Sequence, residues 1–320
     1  MKKIIVDIEQ LTASHREAIL RAAKAHKYTV VFPQNHEEAL READDAEIIF
    51  GPDVALPGAA RELRWLCVPS AGVEQYLPAS VYANSEAVLT NSSGAYGVTI
   101  AEHIVMVTLE LMRRQLDYNR IVAERVWERS LPIRSIRDSR VTLLGAGDIG
   151  REAAIRLRAF GPKSVVGVNR SGRDAGEMFD RTLPASALDE VLPNTDLLIM
   201  SLPGTPGTDG MMDARRLGLL PDDAFLVNVG RGNALDQDAL IRQMRSGRLA
   251  GAALDVFREE PVPREDPIWD CPRMLISTHT AGNMTLNYTV NRIVEMFLEG
   301  FDNYCEGRPL AHLVDRKQGY

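Results

Sequence analysis

The chain has 320 residues, about twice the ~150 that serve as a prior for one domain, so two domains are the first expectation. Hydrophobic residues make up 45% and charged residues 25%, the composition of a folded globular chain and not of a disordered one. A formal charge of −7, from 37 Lys and Arg against 44 Asp and Glu, excludes the basic field that a nucleic-acid backbone requires.

In chain order, the opening MKKIIVDIEQ meets Asp7 before a signal-peptide apolar core can form. Lys3–Ile8 reads as a strand, and Ser14–Ala25 as a helix with Ser14 as its cap. Thr29–Phe32, Glu47–Phe50, Trp65–Val68 and Val88–Asn91 read as further strands, with a helix over Glu37–Ala43. Strands alternating with helical patterns indicate a parallel sheet covered by helices. From Val98 to Arg114 runs a helix apolar on most faces, the pattern of a crossover buried between two bodies. A second alternation starts at Val141: strands over VTLL, Ser164–Val168, Leu197–Met200, Phe225–Val229, Ala250–Leu254 and Met274–Ser277, with helices over Asp148–Phe160 and around Leu188, Leu217 and Leu240. Thr285–Tyr304 reads as a last helix that returns to the first domain. The fold class expected is α/β, with two doubly wound parallel-sheet domains. No apolar run approaches the ~18–20 residues of a membrane helix. The three cysteines (Cys67, Cys271, Cys305) are far apart with no CxxC pair, so neither a disulfide framework nor a Cys-type zinc site is expected; a reducing cytoplasm fits. No His/Asp/Glu cluster has metal-ligand spacing, and no metal is expected.

Gly145-Ala146-Gly147-Asp148-Ile149-Gly150 matches GxGxxG. Alone the pattern is weak, but here it follows a strand, opens a helix and precedes a second strand that ends about 20 residues later, as a dinucleotide-binding βαβ unit requires. The first glycine permits the turn, the second lets the backbone approach a pyrophosphate, and the third lets helix pack on strand. The helix N-terminus then offers amide donors to the diphosphate. After the second strand the chain reads Asn169-Arg170-Ser171-Gly172-Arg173, with no acid before Asp174 to accept from a ribose 2′-OH. Arg170 and Ser171 suit a 2′-phosphate, so NADP(H) is preferred over NAD(H); the alternative is a solvated turn whose Asn169 binds plain NAD.

The segments GAGDIG, VNVGRGNALDQDAL, AALDVFREEP and STHTAGN occur in the order and spacing of the D-isomer-specific 2-hydroxyacid dehydrogenases, and the chain resembles that family from about residue 69 to 285. PSAGVEQY and TNSSGAYGVTIAEHIV resemble its substrate loop and interdomain helix. The resemblance implies a Rossmann dinucleotide-binding domain, residues 95–285, inserted into a flavodoxin-like substrate domain made of 1–94 and 286–320. It implies a hydride transfer between NADPH (or NADH) and a small 2-oxo acid giving a D-2-hydroxy acid, in the manner of glyoxylate/hydroxypyruvate reductases. Pyruvate and bulkier 2-oxo acids stay open as substrates. A homodimer is implied, because relatives are commonly dimers. Some relatives serve as transcriptional corepressors, so a dinucleotide-sensing interaction protein is the alternative from another class.

The implied catalytic residues are Arg231, in Asn228-Val229-Gly230-Arg231-Gly232, Glu260, before Pro261, and His279, before Ala281-Gly282. Their types suit the chemistry: a permanent planar cation for the carboxylate or keto oxygen, a histidine as general acid, and a carboxylate to orient the ring and favour its protonated form. The resemblance assigns Ala71, Gly72 and Val73 to the substrate carboxylate, Pro203 and Thr208 to the loop beside the adenosine half, and Asp255 to the nicotinamide carboxamide. Thr99, Val229 and Gly282 are further cofactor-side positions, with a helix cap as the plain alternative for Thr99. Trp127 resembles a tryptophan at the active-site mouth or partner subunit, with ordinary packing as the alternative. Thr278 stands where the family often has Pro, Glu74 where Asp is common, and Asn283-Met284 are bulkier than usual. His103, on the crossover helix, reads as a packed or polar-bridging residue.

Overall fold

Short aliphatic runs closed by glycine or polar turns become the central strands of this chain, because both faces of each such run find apolar cover. A computed structural model describes residues 2–319. By contacts between residues it divides into two compact units, one ending at Tyr96 and resuming at Asn283, the other spanning Gly97–Gly282. The chain thus passes between units at 96/97 and 282/283, where sequence alone puts the passages at 94/95 and 285/286.

The first unit begins with β1 (Lys2–Val6), α1 (Ala13–Ala25), β2 (Tyr28–Val31), α2 (His36–Glu42), β3 (Ala46–Phe50), the short α3 (Leu56–Ala59), β4 (Trp65–Cys67) and β5 (Val88–Thr90). All pairs are parallel, in the order β2-β1-β3-β4-β5, the flavodoxin-like arrangement. The cap of α1 is Thr12 and not Ser14: its hydroxyl accepts from the His15 amide while the His15 ring accepts from the Thr12 amide, a capping box that satisfies two donors at once.

The second unit contains α4 (Gly97–Met112), α5 (Gln115–Ala123), β6 (Arg140–Leu144), α6 (Asp148–Arg158), β7 (Ser164–Asn169), β8 (Arg181–Pro184), α7 (Leu188–Val191), β9 (Leu197–Met200), α8 (Ala214–Leu217), β10 (Phe225–Asn228), α9 (Gln237–Arg245), β11 (Gly251–Leu254) and β12 (Met274–Ile276). The sheet order is β12-β11-β10-β9-β6-β7-β8, again parallel throughout. From β8 to β11 this is the Rossmann order, with its topological switch point between β6 and β9. The helix α4 packs on α6, β10 and β11 of its own unit and buries Ile100, Ala101, Ile104, Val107 and Leu111.

After residue 282 the chain forms α10 (Asn287–Cys305), which belongs to the first unit. Phe297 stacks on Phe50 with ring centroids 4.1 Å apart and on Trp65 at 5.6 Å. Such pairs add about 0.5–1.5 kcal/mol each beyond their buried area. Among the described residues, no helix is long and apolar enough to cross a membrane.

Candidate active site

The C-terminal ends of the second unit's strands carry most of the chemistry read from the sequence, as open α/β sheets require. The turn after β6 shows why each glycine is needed. Gly145 has φ +108°, and a Cβ there would lie 2.7 Å from the Ser201 carbonyl oxygen. Ser201 Oγ, after β9, donates to the Gly145 carbonyl at 2.9 Å and pins the turn at the switch point. A Cβ on Gly150 would run into that same carbonyl, so α6 packs directly on the turn. Gly147, the N-cap of α6, has no atom within 4 Å of where its Cβ would stand. A turn tight at its first and third glycines and open at its second suits a diphosphate laid over the α6 N-terminus. Ile149 is half-buried, and the Asp148 carboxylate lies against Gly97, the first residue of α4. Thr99 sits buried in the first turn of α4.

After β7, Asn169 organises its own loop. Its Oδ1 accepts from the Ser171 amide at 3.2 Å and the Gly172 amide at 2.7 Å, and its Nδ2 donates to the Arg173 carbonyl at 2.7 Å. The side chains of Arg170 and Ser171 stand exposed on this loop, and Asp174 turns back to cap the Gly176 amide. After β9, Thr208 donates to the Pro203 carbonyl at 2.6 Å, closing the 203–208 turn on itself.

The segments after β10, β11 and β12 are stitched together. Fully buried Asn228 accepts from the Gly230 amide and donates to the Arg231 carbonyl, which shapes the turn that presents Arg231. Val229 is buried, its amide bonded to the Met200 carbonyl. A Cβ on Gly232 would overlap the Phe257 carbonyl group, so only glycine lets this turn lie against the β11 loop. The Phe257 amide donates to Glu260 Oε1 at 2.8 Å, and Glu260 Oε2 pairs with His279 Nδ1 at 2.7 Å. Both carboxylate oxygens are therefore engaged, and the imidazole keeps Nε2 for another partner. The ring is half exposed, and His279 has φ +56°, a left-handed conformation that places its side chain off the strand line.

Asp255 holds this turn from beneath. Its residue is 2% exposed, and its carboxylate accepts from the Thr280 amide at 2.9 Å, the Ala281 amide at 3.1 Å and Ser277 Oγ at 2.6 Å, while its carbonyl accepts from the His279 amide. Half-buried Gly282 closes the unit one residue beyond that clamp. His103 Nε2 reaches Ser277 Oγ at 3.4 Å from α4, the bridging alternative of its two sequence readings. Burial pushes this imidazole below histidine's ordinary range, with Asp255 and Glu110 opposing the shift.

In the first unit, the turn after β4 has its carbonyls tied back. Tyr96 Oη donates to the Pro69 carbonyl, the Ser92 amide to Ser70, Asn91 Nδ2 to Ala71, Ser70 Oγ to Gly72 and the Tyr76 amide to Val73. Among the described residues, the amides of Ala71, Gly72 and Val73 have no protein acceptor. Successive amides left open in a turn have the chemistry an anion requires. Trp127 is 90% exposed, so ordinary packing within the chain is excluded for it.

Ser201, Asn228 and the Ser70–Asn91 pair are supporting residues that the motifs did not single out. Each is a polar residue at or just beyond the end of an apolar strand run, and that position is the signal they carry.

Residues 105–281 match the family described as D-isomer specific 2-hydroxyacid dehydrogenase, NAD binding domain. The glyoxylate/hydroxypyruvate reductase A of Escherichia fergusonii is 30% identical over 86% of this chain and 88% of its own. A D-isomer specific 2-hydroxyacid dehydrogenase family protein of Aeromonas salmonicida has a solved structure that superposes with a TM-score of 0.87 at 29% identity, covering 98% of this chain and 99% of that one. The NADPH-dependent glyoxylate/hydroxypyruvate reductase of Sinorhizobium meliloti, solved with NADP and sulfate, gives a TM-score of 0.84 at 26% identity over the whole of both chains.

Proposed function

The chain belongs to the D-isomer specific 2-hydroxyacid dehydrogenase family, an NAD(P)-dependent oxidoreductase acting on CH–OH donors, and from that premise we propose that it reduces a small 2-oxo acid to a D-2-hydroxy acid with NADPH. The observation that carries this reading is the Glu260–His279 pair, anchored at one end by the Phe257 amide and leaving Nε2 as the ring's open nitrogen. The amides of Ala71, Gly72 and Val73 receive the substrate carboxylate, and the Arg231 guanidinium supplies a fixed positive charge for the carboxylate and keto oxygen. NADPH, when bound, supplies the hydride. His279 gives its Nε2 proton to the developing alkoxide while Nδ1 stays bonded to Glu260, which holds the ring's orientation through the transfer. In the oxidation direction the neutral ring takes the hydroxyl proton. Gly145, Gly147 and Gly150 with the α6 amides hold the diphosphate, and Pro203, Thr208, Val229 and Asp255 line the cofactor's course.

NADPH is the preferred cofactor in this reading, because exposed Arg170 and Ser171 offer a cation and a hydroxyl where an NAD-selective site carries an acid. Glyoxylate and hydroxypyruvate are the first substrates to try, since relatives carry those names. The purified protein with NADPH or NADH and a panel of 2-oxo acids, followed by absorbance, tests both points. Arg170→Ala is expected to raise KM for NADPH by about tenfold and leave KM for NADH unchanged, the loss of one charge-assisted contact. No cofactor oxidation with any acid refutes the enzyme assignment, and a preference for NADH refutes the Arg170 reading.

A homodimer and a cytoplasmic location complete the reading. Val122, Val126 and Trp127 are 70%, 52% and 90% exposed within six residues of chain, apolar surface that a second copy would cover. Light scattering on the eluted protein is expected to give twice the chain mass; a monomer at micromolar concentration removes this part. The free cysteines Cys67, Cys271 and Cys305 fit a reducing compartment.

A further inference from the structure

We infer that Ser70 and Asn91 are positioning residues that aim the amides of Gly72 and Val73 at a carboxylate, and so set substrate affinity without touching substrate. The inference rests on the reading in which that turn receives a 2-oxo acid.

A peptide's N–H and C=O point in opposite directions, so fixing one fixes the other. In the 70–73 turn the fixing is done on the carbonyl side. Asn91 Nδ2, from the end of β5, donates to the Ala71 carbonyl at 2.9 Å. Ser70 Oγ reaches two residues on to the Gly72 carbonyl at 2.7 Å. Each bond holds the following amide, that of Gly72 or Val73, facing away from the protein acceptors. Asn91 is itself held from both sides: its amide donates to the His312 carbonyl, and its Oδ1 accepts from the Ser93 amide at 3.2 Å. The donor is therefore rigid before any ligand arrives. Preorganised amides bind an anion without the ordering cost that a free loop incurs. Ala71 is exposed and Gly72 half-buried, so no packed side chain keeps the Ala71–Gly72 peptide from rotating once the Asn91 bond is gone, whereas buried Val73 flanks the next peptide on one side only.

Ser70→Ala and Asn91→Ala each remove one of these donors, and Ser70→Thr keeps the hydroxyl. Two quantities read the effect: KM for glyoxylate at saturating NADPH, and the calorimetric Kd for oxalate, which measures carboxylate binding apart from turnover. Each alanine variant is expected to raise both by about tenfold, with kcat within about threefold of the parent, unchanged NADPH affinity, and near-parental behaviour for Ser70→Thr. The inference is overturned if both alanine variants keep KM and oxalate Kd within about twofold, or if NADPH affinity and the thermal midpoint fall together with them, as a merely structural role would produce. Should the parent reduce no 2-oxo acid yet bind oxalate, the functional reading falls while the oxalate comparison still decides the inference. A parent that neither turns over nor binds oxalate overturns both.

Discussion

Replacing His279 with alanine is expected to lower kcat at neutral pH by about 100- to 10,000-fold, the range general acid catalysis contributes, while NADPH still binds. The fold should tolerate the change. The ring is half exposed, it bonds the Glu260 side chain, and the Glu260 Oε1 bond to the Phe257 amide survives without it. Glu260→Gln sharpens the comparison. A glutamine can keep its oxygen on the Phe257 amide, but then presents N–H to His279 Nδ1, which must turn acceptor. The ring then lacks a carboxylate beside Nδ1 as its proton leaves, and kcat is expected to fall by about 10- to 100-fold. Steady-state kinetics at saturating cofactor, with cofactor affinity from NADPH fluorescence, measure both variants. Turnover of His279→Ala near the parent's removes His279 from the role of acid.

Substituting the glycines of the α6 turn is expected to separate two roles that one motif combines. Gly147→Ala puts a methyl group where no protein atom lies within 4 Å, at a backbone φ of −81° that alanine adopts freely. Stability should therefore stay within about 0.5 kcal/mol of the parent, the range of substitutions that disturb no packing. NADPH affinity should fall by at least about tenfold, because the methyl group occupies the line of approach to the diphosphate. Gly150→Ala drives its methyl group into the Gly145 carbonyl instead, and is expected to cost about 1–3 kcal/mol and lower the midpoint by roughly 3–10 °C. Thermal denaturation without cofactor, paired with a cofactor titration, reads both. Gly147→Ala with undiminished NADPH affinity would place the diphosphate elsewhere.

The strands legible in the sequence are those buried on both faces. LLIM and FLVN are apolar at nearly every position because helices cover both sides of the sheet, and β9 and β10 coincide with those runs. β8 (RTLP) carries one aliphatic residue and lies at the sheet edge, where proline is tolerated and burial is partial, so no hydrophobic run announces it. α5 leaves no pattern for a similar reason: it buries only Ile121. In the site, residues that belong to contiguous motifs could be read, and residues that act across the fold could not. The Glu260–His279 bond spans 19 positions, and Asn91 meets Ala71 across 20. Nothing in local pattern links such partners until strand order brings β4 beside β5 and β11 beside β12.

The place of α10 has a consequence for the order in which the protein is made. Phe50 and Trp65 emerge early from the ribosome, yet the ring that stacks on both, Phe297, follows more than 200 residues later. The Rossmann unit lies between them as one uninterrupted stretch and has all its strands before α10 appears. It can complete its core during synthesis, whereas the flanking unit waits with an aromatic face uncovered until the last helix is released. The vulnerable species in biogenesis is then a chain with its middle folded and its beginning still open, the state most in need of a chaperone.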